Sequence, residues 1–352
     1  MNLVKKFLAV FMAIYLCLMP LAVNAGAAGR KPALRTSAGI QALRDEFEHD
    51  VAPEAGGHAL DYAYYSPVGK NDDAKYPLVI FLHGIGHADY VGAQLDDSDF
   101  PYWASYELQS RFDEGGAFIL LPRAPEHKLV YWGTTLIESL RAVIDDMLEN
   151  YGDNIDTTKI FIGGSSAGGE MTWNMIISFP EYFAGAFPIA STGTVTEADT
   201  LYCSDVPVWM ISSKKDPVVN YNLVTLPLWE NVLKHNSQPE KCRLSSFDNV
   251  VEPAGASASD NHHMAKVVTY DLHMLDGSTY PNVTTIDGNG LKLNLKSPNG
   301  MISWMNSLSS SFEGETAEGT GNTDVSIFDT IFSIFRNFIL KIVNIFQRIL
   351  GL

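Results

Sequence analysis

The sequence predicts an α/β protein, a mostly parallel central sheet with helices on both faces. Three observations carry that expectation. Short apolar runs bounded by turn residues, "YPLVIFLHG" and "GAFILLPRAP", read as strands buried on both faces. Segments with helical apolar spacing alternate with these runs, as crossover helices between parallel strands do. The residues with chemistry to offer follow strand ends, the edge at which such sheets bind ligands.

The elements follow in order. "TSAGIQALRDEFEHD" opens with a Thr/Ser cap and carries helical spacing, and "HALDYAYYSPVG" is β-rich. "YPLVIFLHG" and "GAFILLPRAP" are the first two buried strands, and "TTLIESLRAVIDDMLENYG" is an amphipathic helix closed by Gly152. "KIFIGG" is a third short strand, followed by the helix "AGGEMTWNMIISF". "AGAFPIAS" and "VPVWMISSKKD" are two more strands, "NLVTLPLWENVLKHN" is helical, "KCRLSSFDNVV" is a strand, and "NGMISWMNSL" is a last helix. Together they make one domain over residues 37–308, near the size at which single cores stop growing.

The flanks have a different character. Lys5 and Lys6 precede an uncharged apolar stretch over residues 7–22, and Val23-Asn24-Ala25 fits a small-x-small cleavage site. Residues 1–25 therefore read as a signal peptide, which makes the protein secreted; the alternative is an uncleaved N-terminal anchor. Removing them takes away two lysines and no acid, so the net charge of -17 becomes -19. Nucleic acid is excluded as a partner, because phosphate binding needs clustered Lys and Arg. Cys17 lies inside the signal segment, which leaves Cys203 and Cys242 either to pair or to remain two buried thiols.

Residues 309–326 are rich in Ser, Gly, Thr and Glu and read as a flexible acidic linker. Residues 327–352 read as an amphipathic helix. Phe328, Ile331, Phe335, Phe338, Ile342, Ile345 and Ile349 share one face, and Asp329, Arg336, Lys341 and Arg348 lie on the other. Polar residues interrupt it too often for it to span a bilayer. Residues 327–350 thus suit a membrane or cell-envelope surface, self-association, or packing on the domain.

The chemistry centres on "KIFIGGSSAGGEMTW". Gly164-Ser165-Ser166-Ala167-Gly168 is G-x-S-x-G with Ser166 at its centre, between a strand and a helix. That turn presents a serine hydroxyl at the top of a sheet, beside the free N–H groups of a helix start. Ser165 falls out of the frame, since Gly163 and Ala167 flank it. A nucleophilic serine needs a base and a group to orient the base, in chain order Ser, Asp or Glu, His. Asp216 ends the strand "VPVWMISSKKD" and suits the orienting role better than Asp260. The loop after the next strand holds His262 and His263. His262 is the first choice of base and His263 the alternative, while His273 reads better as a packed residue.

Acyl transfer also needs donors for the developing oxyanion. The N–H of Ala167 is one, and the N–H of Ile85, in the His83-Gly84-Ile85-Gly86 turn after "FLHG", is the other. His83 is expected to shape that loop. No metal is expected, because adjacent His262 and His263 lack ligand spacing on one helix face. No cofactor is expected either, since "GGSSAGG" lacks the Lys-Ser/Thr ending of a nucleotide loop.

With "FLHGIG", "GGSSAGG", Asp216 and the His pair in this order, residues 55–308 resemble the α/β-hydrolases. Within them the chain is similar to a secreted esterase branch labelled predicted peptidase, near the feruloyl esterases and polyhydroxybutyrate depolymerases. The resemblance implies an α/β-hydrolase fold and a secreted serine hydrolase cleaving carboxylic esters, small or polysaccharide-linked. A serine peptidase and a non-catalytic envelope-binding protein on the same scaffold are the alternatives. Members often carry H-x-x-W at the base; this chain has Ala265 counted from His262 and Lys266 from His263. They also place an aromatic residue near the site, which here implies Trp132 and Tyr131 as substrate-binding residues.

Overall fold

A computed structural model of the chain describes residues 37–67, 74–85, 90–96, 100–125, 132–191, 195–248, 263, 283–294 and 300–312. The chain divides into two compact units, Met1–Gly314 and Glu315–Leu352. The signal segment, most of the linker and the amphipathic tail lie outside the described residues.

The first helix, α1 (Ser37–Arg44), is shorter than its sequence pattern implies. The chain turns at Asp45 and Glu46, Phe47 is buried, and Glu48–Val51 become strand β1. This departs from the helical expectation for "DEFEHD". β1 pairs antiparallel with β2 (Asp61–Tyr65), Glu48 opposite Tyr64, and that tertiary pairing overrides the local pattern.

β3 (Tyr76–Leu82) is buried at all seven positions, and β4 (Phe118–Pro122) at all five, as expected of apolar runs bounded by turns. A four-residue helix, α2 (Tyr106–Gln109), lies between them. α3 (Ile137–Tyr151) buries Ile137, Leu140, Val143, Ile144 and Met147 along one stripe. β5 (Ile155–Ser165) starts earlier than "KIFIGG" and leads into α4 (Ala167–Ser178). β6 (Gly185–Ile189), β7 (Trp209–Ser213), α5 (Leu226–His235) and β8 (Arg243–Phe247) follow. Last come β9 (Val283–Asp287), β10 (Lys292–Leu293) and α6 (Met301–Asn306).

Among the described residues the strands form one sheet in the order β1-β2-β4-β3-β5-β6-β7-β8-β9-β10. The run from β4 to β8 is parallel, and β1, β2, β9 and β10 flank it antiparallel. The β9–β10 hairpin, absent from the sequence reading, turns through Gly290 at φ 77. Its signal was the Gly-containing "DGNG" after a Val/Thr/Ile run.

The sheet separates two cores. In β3, Leu78, Ile80 and Leu82 join the core of α3, α4 and α5, and Val79 and Phe81 join the core of Trp103, Phe187 and Trp304. This is the two-residue alternation of a strand that buries both faces. β3 and β5 are neighbours in parallel register, Leu82 beside Gly164. The loop after β3 and the turn after β5 therefore leave the same sheet edge side by side, with β4 and β5 on opposite sides of β3, where open α/β sheets form crevices.

Candidate active site

Ser166 follows β5 at φ 57 and ψ −116, a conformation in which an L-residue is strained. Its neighbours make the turn sterically feasible. A Cβ on Gly164 would stand 2.5 Å from the backbone of Gly168, and one on Gly168 would stand 2.1 Å from the Leu82 carbonyl oxygen. Only glycine allows strand, elbow and helix to approach this closely. Gly168→Ala is accordingly expected to lower stability by about 3 kcal/mol or more, read as a lowered thermal unfolding midpoint. The strained turn is tied down by the Ser166 N–H, which donates to the Ile189 carbonyl at 2.9 Å.

The Ser166 hydroxyl lies 2.9 Å from Nε2 of His263, and Nδ1 of His263 lies 2.8 Å from Oδ2 of Asp216. Asp216 follows β7, and its side chain is fully buried. Its Oδ1 accepts the N–H groups of Val218 and Val219 at 2.8 and 2.9 Å. Burial opposes the ionised carboxylate. The His263 hydrogen bond and the two amides outweigh it and hold the Asp216 carboxyl below its ordinary value of 3.8. An ionised carboxylate only accepts, so Nδ1 of His263 carries the proton and Nε2 is left to accept from the serine hydroxyl.

The depressed carboxyl sets the direction of a pH effect. Its stabilisation is complete above the unfolded aspartate value and is lost as pH falls through the lower folded value. Denaturant midpoints measured down an acid pH series should therefore fall more steeply for the wild type than for Asp216→Asn.

The histidine in contact is His263, which corrects the first choice of His262. One place exists between Ser166 and Asp216, and His263 fills it; His262, Asp260 and His273 lie outside the described residues. Asp216 stands where the sequence reading put the orienting acid. The Val218 and Val219 amides were missed, although Asp216-Pro217 opening a turn is the sequence form of an Asx turn.

Ala167 is the first residue of α4, where N–H groups have no partner within the helix. Among the described residues neither its N–H nor that of Ile85 has an acceptor. The two loops touch: a Cβ on Gly84 would lie 3.4 Å from the Ser165 carbonyl oxygen and 3.8 Å from Cβ of Ser166. His83 shapes its loop as expected. Nε2 accepts the Ala124 N–H at 3.1 Å, so Nδ1 bears the proton and donates to the Gly84 carbonyl at 2.6 Å.

Trp132 departs from its expected role in holding substrate. Its indole N–H donates to the His83 carbonyl at 2.9 Å, and only 3% of the residue is exposed. It braces the loop through that bond and exposes almost no surface. Tyr131 lies outside the described residues. Cys203 and Cys242 are both free and buried, and burial raises the two thiols to about 12 and about 11.

No protein-family model matches the chain, and no curated protein matches it. Solved structures do. The crystal structure of a thermostable esterase matches with a TM-score of 0.55 and 27% identity, over 65% of this chain. The match spans 61% of the length of that esterase. An acylaminoacyl peptidase in complex with Z-Gly-Gly-Phe-chloromethyl ketone matches with a TM-score of 0.43 and 16% identity, over 65% of this chain and 40% of its own. Est1E from Butyrivibrio proteoclasticus matches with a TM-score of 0.40 and 16% identity, over 56% of this chain and 87% of its own.

Proposed function

We propose that this chain, an α/β-hydrolase in fold, is a serine hydrolase that cleaves carboxylic esters through an acyl-enzyme. The observation that carries the reading is the unbroken contact from Ser166 Oγ through His263 to Asp216, at 2.9 and 2.8 Å, beside the amides of Ile85 and Ala167, which have no acceptor among the described residues.

In this reading Ser166 attacks the ester carbonyl as His263 Nε2 takes the hydroxyl proton. Asp216 keeps the imidazole in its tautomer and stabilises the imidazolium. The N–H groups of Ile85 and Ala167 hold the oxyanion. Collapse breaks the carbonyl–alkoxy bond, and His263 returns the proton to the leaving alcohol. Water, deprotonated by the same imidazole, then attacks the acyl-enzyme and releases the acid. The likeness to a thermostable esterase supports an ester as substrate. The test is a fluorophosphonate probe, with peptide mapping to locate the adduct, beside turnover of p-nitrophenyl acetate and of peptide p-nitroanilides. Labelling at Ser166 with ester turnover faster than amide turnover is expected. Faster amide turnover would make it a peptidase, and an unlabelled Ser166 would leave a non-catalytic binding scaffold.

The protein is further proposed to be exported and held at a membrane or cell-envelope surface. Lys5 and Lys6 before an uncharged apolar stretch support the first, and the apolar face of residues 327–350 supports the second. Truncation after residue 310 should lower partitioning onto anionic vesicles and spare ester turnover; unchanged partitioning would overturn the surface role.

A further inference from the structure

Among the described residues two non-glycine residues have positive φ: Ser166 at 57 and Ala190 at 44. Such backbone persists only where its surroundings hold it, and an outlier of this kind points toward function. The two residues are joined. Ile189, the last residue of β6, pairs with Ser165, and its carbonyl accepts the Ser166 N–H at 2.9 Å. The next residue, Ala190, donates its own N–H to the Ile211 carbonyl of β7 at 2.8 Å and is 1% exposed. The strained alanine is thus pinned between the strand that carries the serine and the strand that leads to Asp216.

An extended residue at 190 would continue along the sheet. The left-handed turn instead lays Ser191 on the first turn of α4. A Cβ on Gly169 would stand 3.1 Å from the Ser191 Cβ, 3.1 Å from the Ile189 carbonyl oxygen and 3.1 Å from the Gly164 carbonyl oxygen. The end of β6 and the start of α4 therefore grip the elbow from two sides.

We infer that Ala190 is a positioning residue for Ser166: its left-handed turn seats the Ile189 carbonyl and Ser191 against α4 and so aims the serine hydroxyl at His263. The inference rests on the reading of Ser166 as nucleophile. What matters in it is the turn, not the methyl group, and substitutions separate the two. Glycine adopts positive φ freely, so Ala190→Gly should label with a fluorophosphonate within about twofold of the wild-type rate. A β-branched residue is an outlier there, so Ala190→Val should label about tenfold to a hundredfold more slowly, with kcat for p-nitrophenyl acetate falling and KM little changed. If Ala190→Val does not fold, Gly169→Ala carries the test from the helix side, with a slowed label and a thermal midpoint lowered less than that of Gly168→Ala, whose added Cβ would stand 2.1 Å and not 3.1 Å from its nearest atom.

The experiment is the labelling rate at Ser166 of the full chain, with unfolding midpoints for each variant. A folded Ala190→Val, or failing that Gly169→Ala, that labels at the wild-type rate overturns the inference while the nucleophile stands. Ala190→Gly slowed as much as Ala190→Val also overturns it, since the methyl would then be the active part. A wild type that does not label overturns the reading of Ser166, and this inference with it.

Discussion

Ser166→Ala is expected to abolish hydrolysis of p-nitrophenyl acetate while the protein stays folded. The substitution removes only Oγ. The Cβ that bears the strained φ of 57 remains, as do the N–H bond to Ile189 and the glycine contacts of the elbow. A drop of about a millionfold in kcat is the size measured when a triad serine is removed from another serine hydrolase. Oxyanion donors and substrate binding leave a residual rate above that of water. The check is ester turnover together with circular dichroism and the thermal midpoint. An active and folded Ser166→Ala would end the assignment.

The second large effect separates the two histidines. His263→Ala should cost activity on the scale of Ser166→Ala, because losses within a unit that acts together do not add. The double variant should then be scarcely worse than either single one. His262→Ala should keep near wild-type turnover. The reverse pattern would move the base to His262 and overturn the placement of Nε2 of His263 at 2.9 Å from the serine. Asp216→Asn is a milder companion, since it keeps the acceptor geometry but favours the wrong imidazole tautomer.

The elbow was legible in the sequence because its demands are local. Gly164 and Gly168 are forced by atoms a few residues away or on the adjoining strand, and the motif records that need. β3 and β4 were legible because burial on both faces leaves a continuous apolar run. β1 was not, because Glu48-His49-Asp50-Val51 is exposed at every position and its strand character comes from β2. The histidine that contacts Ser166 was legible only to within one residue. Which side chain of a loop faces the sheet edge depends on the path of the whole loop, and no spacing rule fixes it. Trp132 was misread for a similar reason, since its partner carbonyl lies 49 positions away in the chain. Ala190 left no trace, because alanine at positive φ looks like any alanine in sequence.

The sheet's outermost strands settle one more property of the molecule. A row of unpaired N–H and C=O groups along an edge invites a second chain to add on, the first step toward a fibril. Among the described residues β1 closes one side with Glu48, His49 and Asp50, and β10 closes the other with only two residues, the first of them Lys292. Charge on one margin and brevity on the other deny a template to incoming chains. Both are devices by which proteins with interior strands as apolar as "LVIFL" blunt edge-to-edge association.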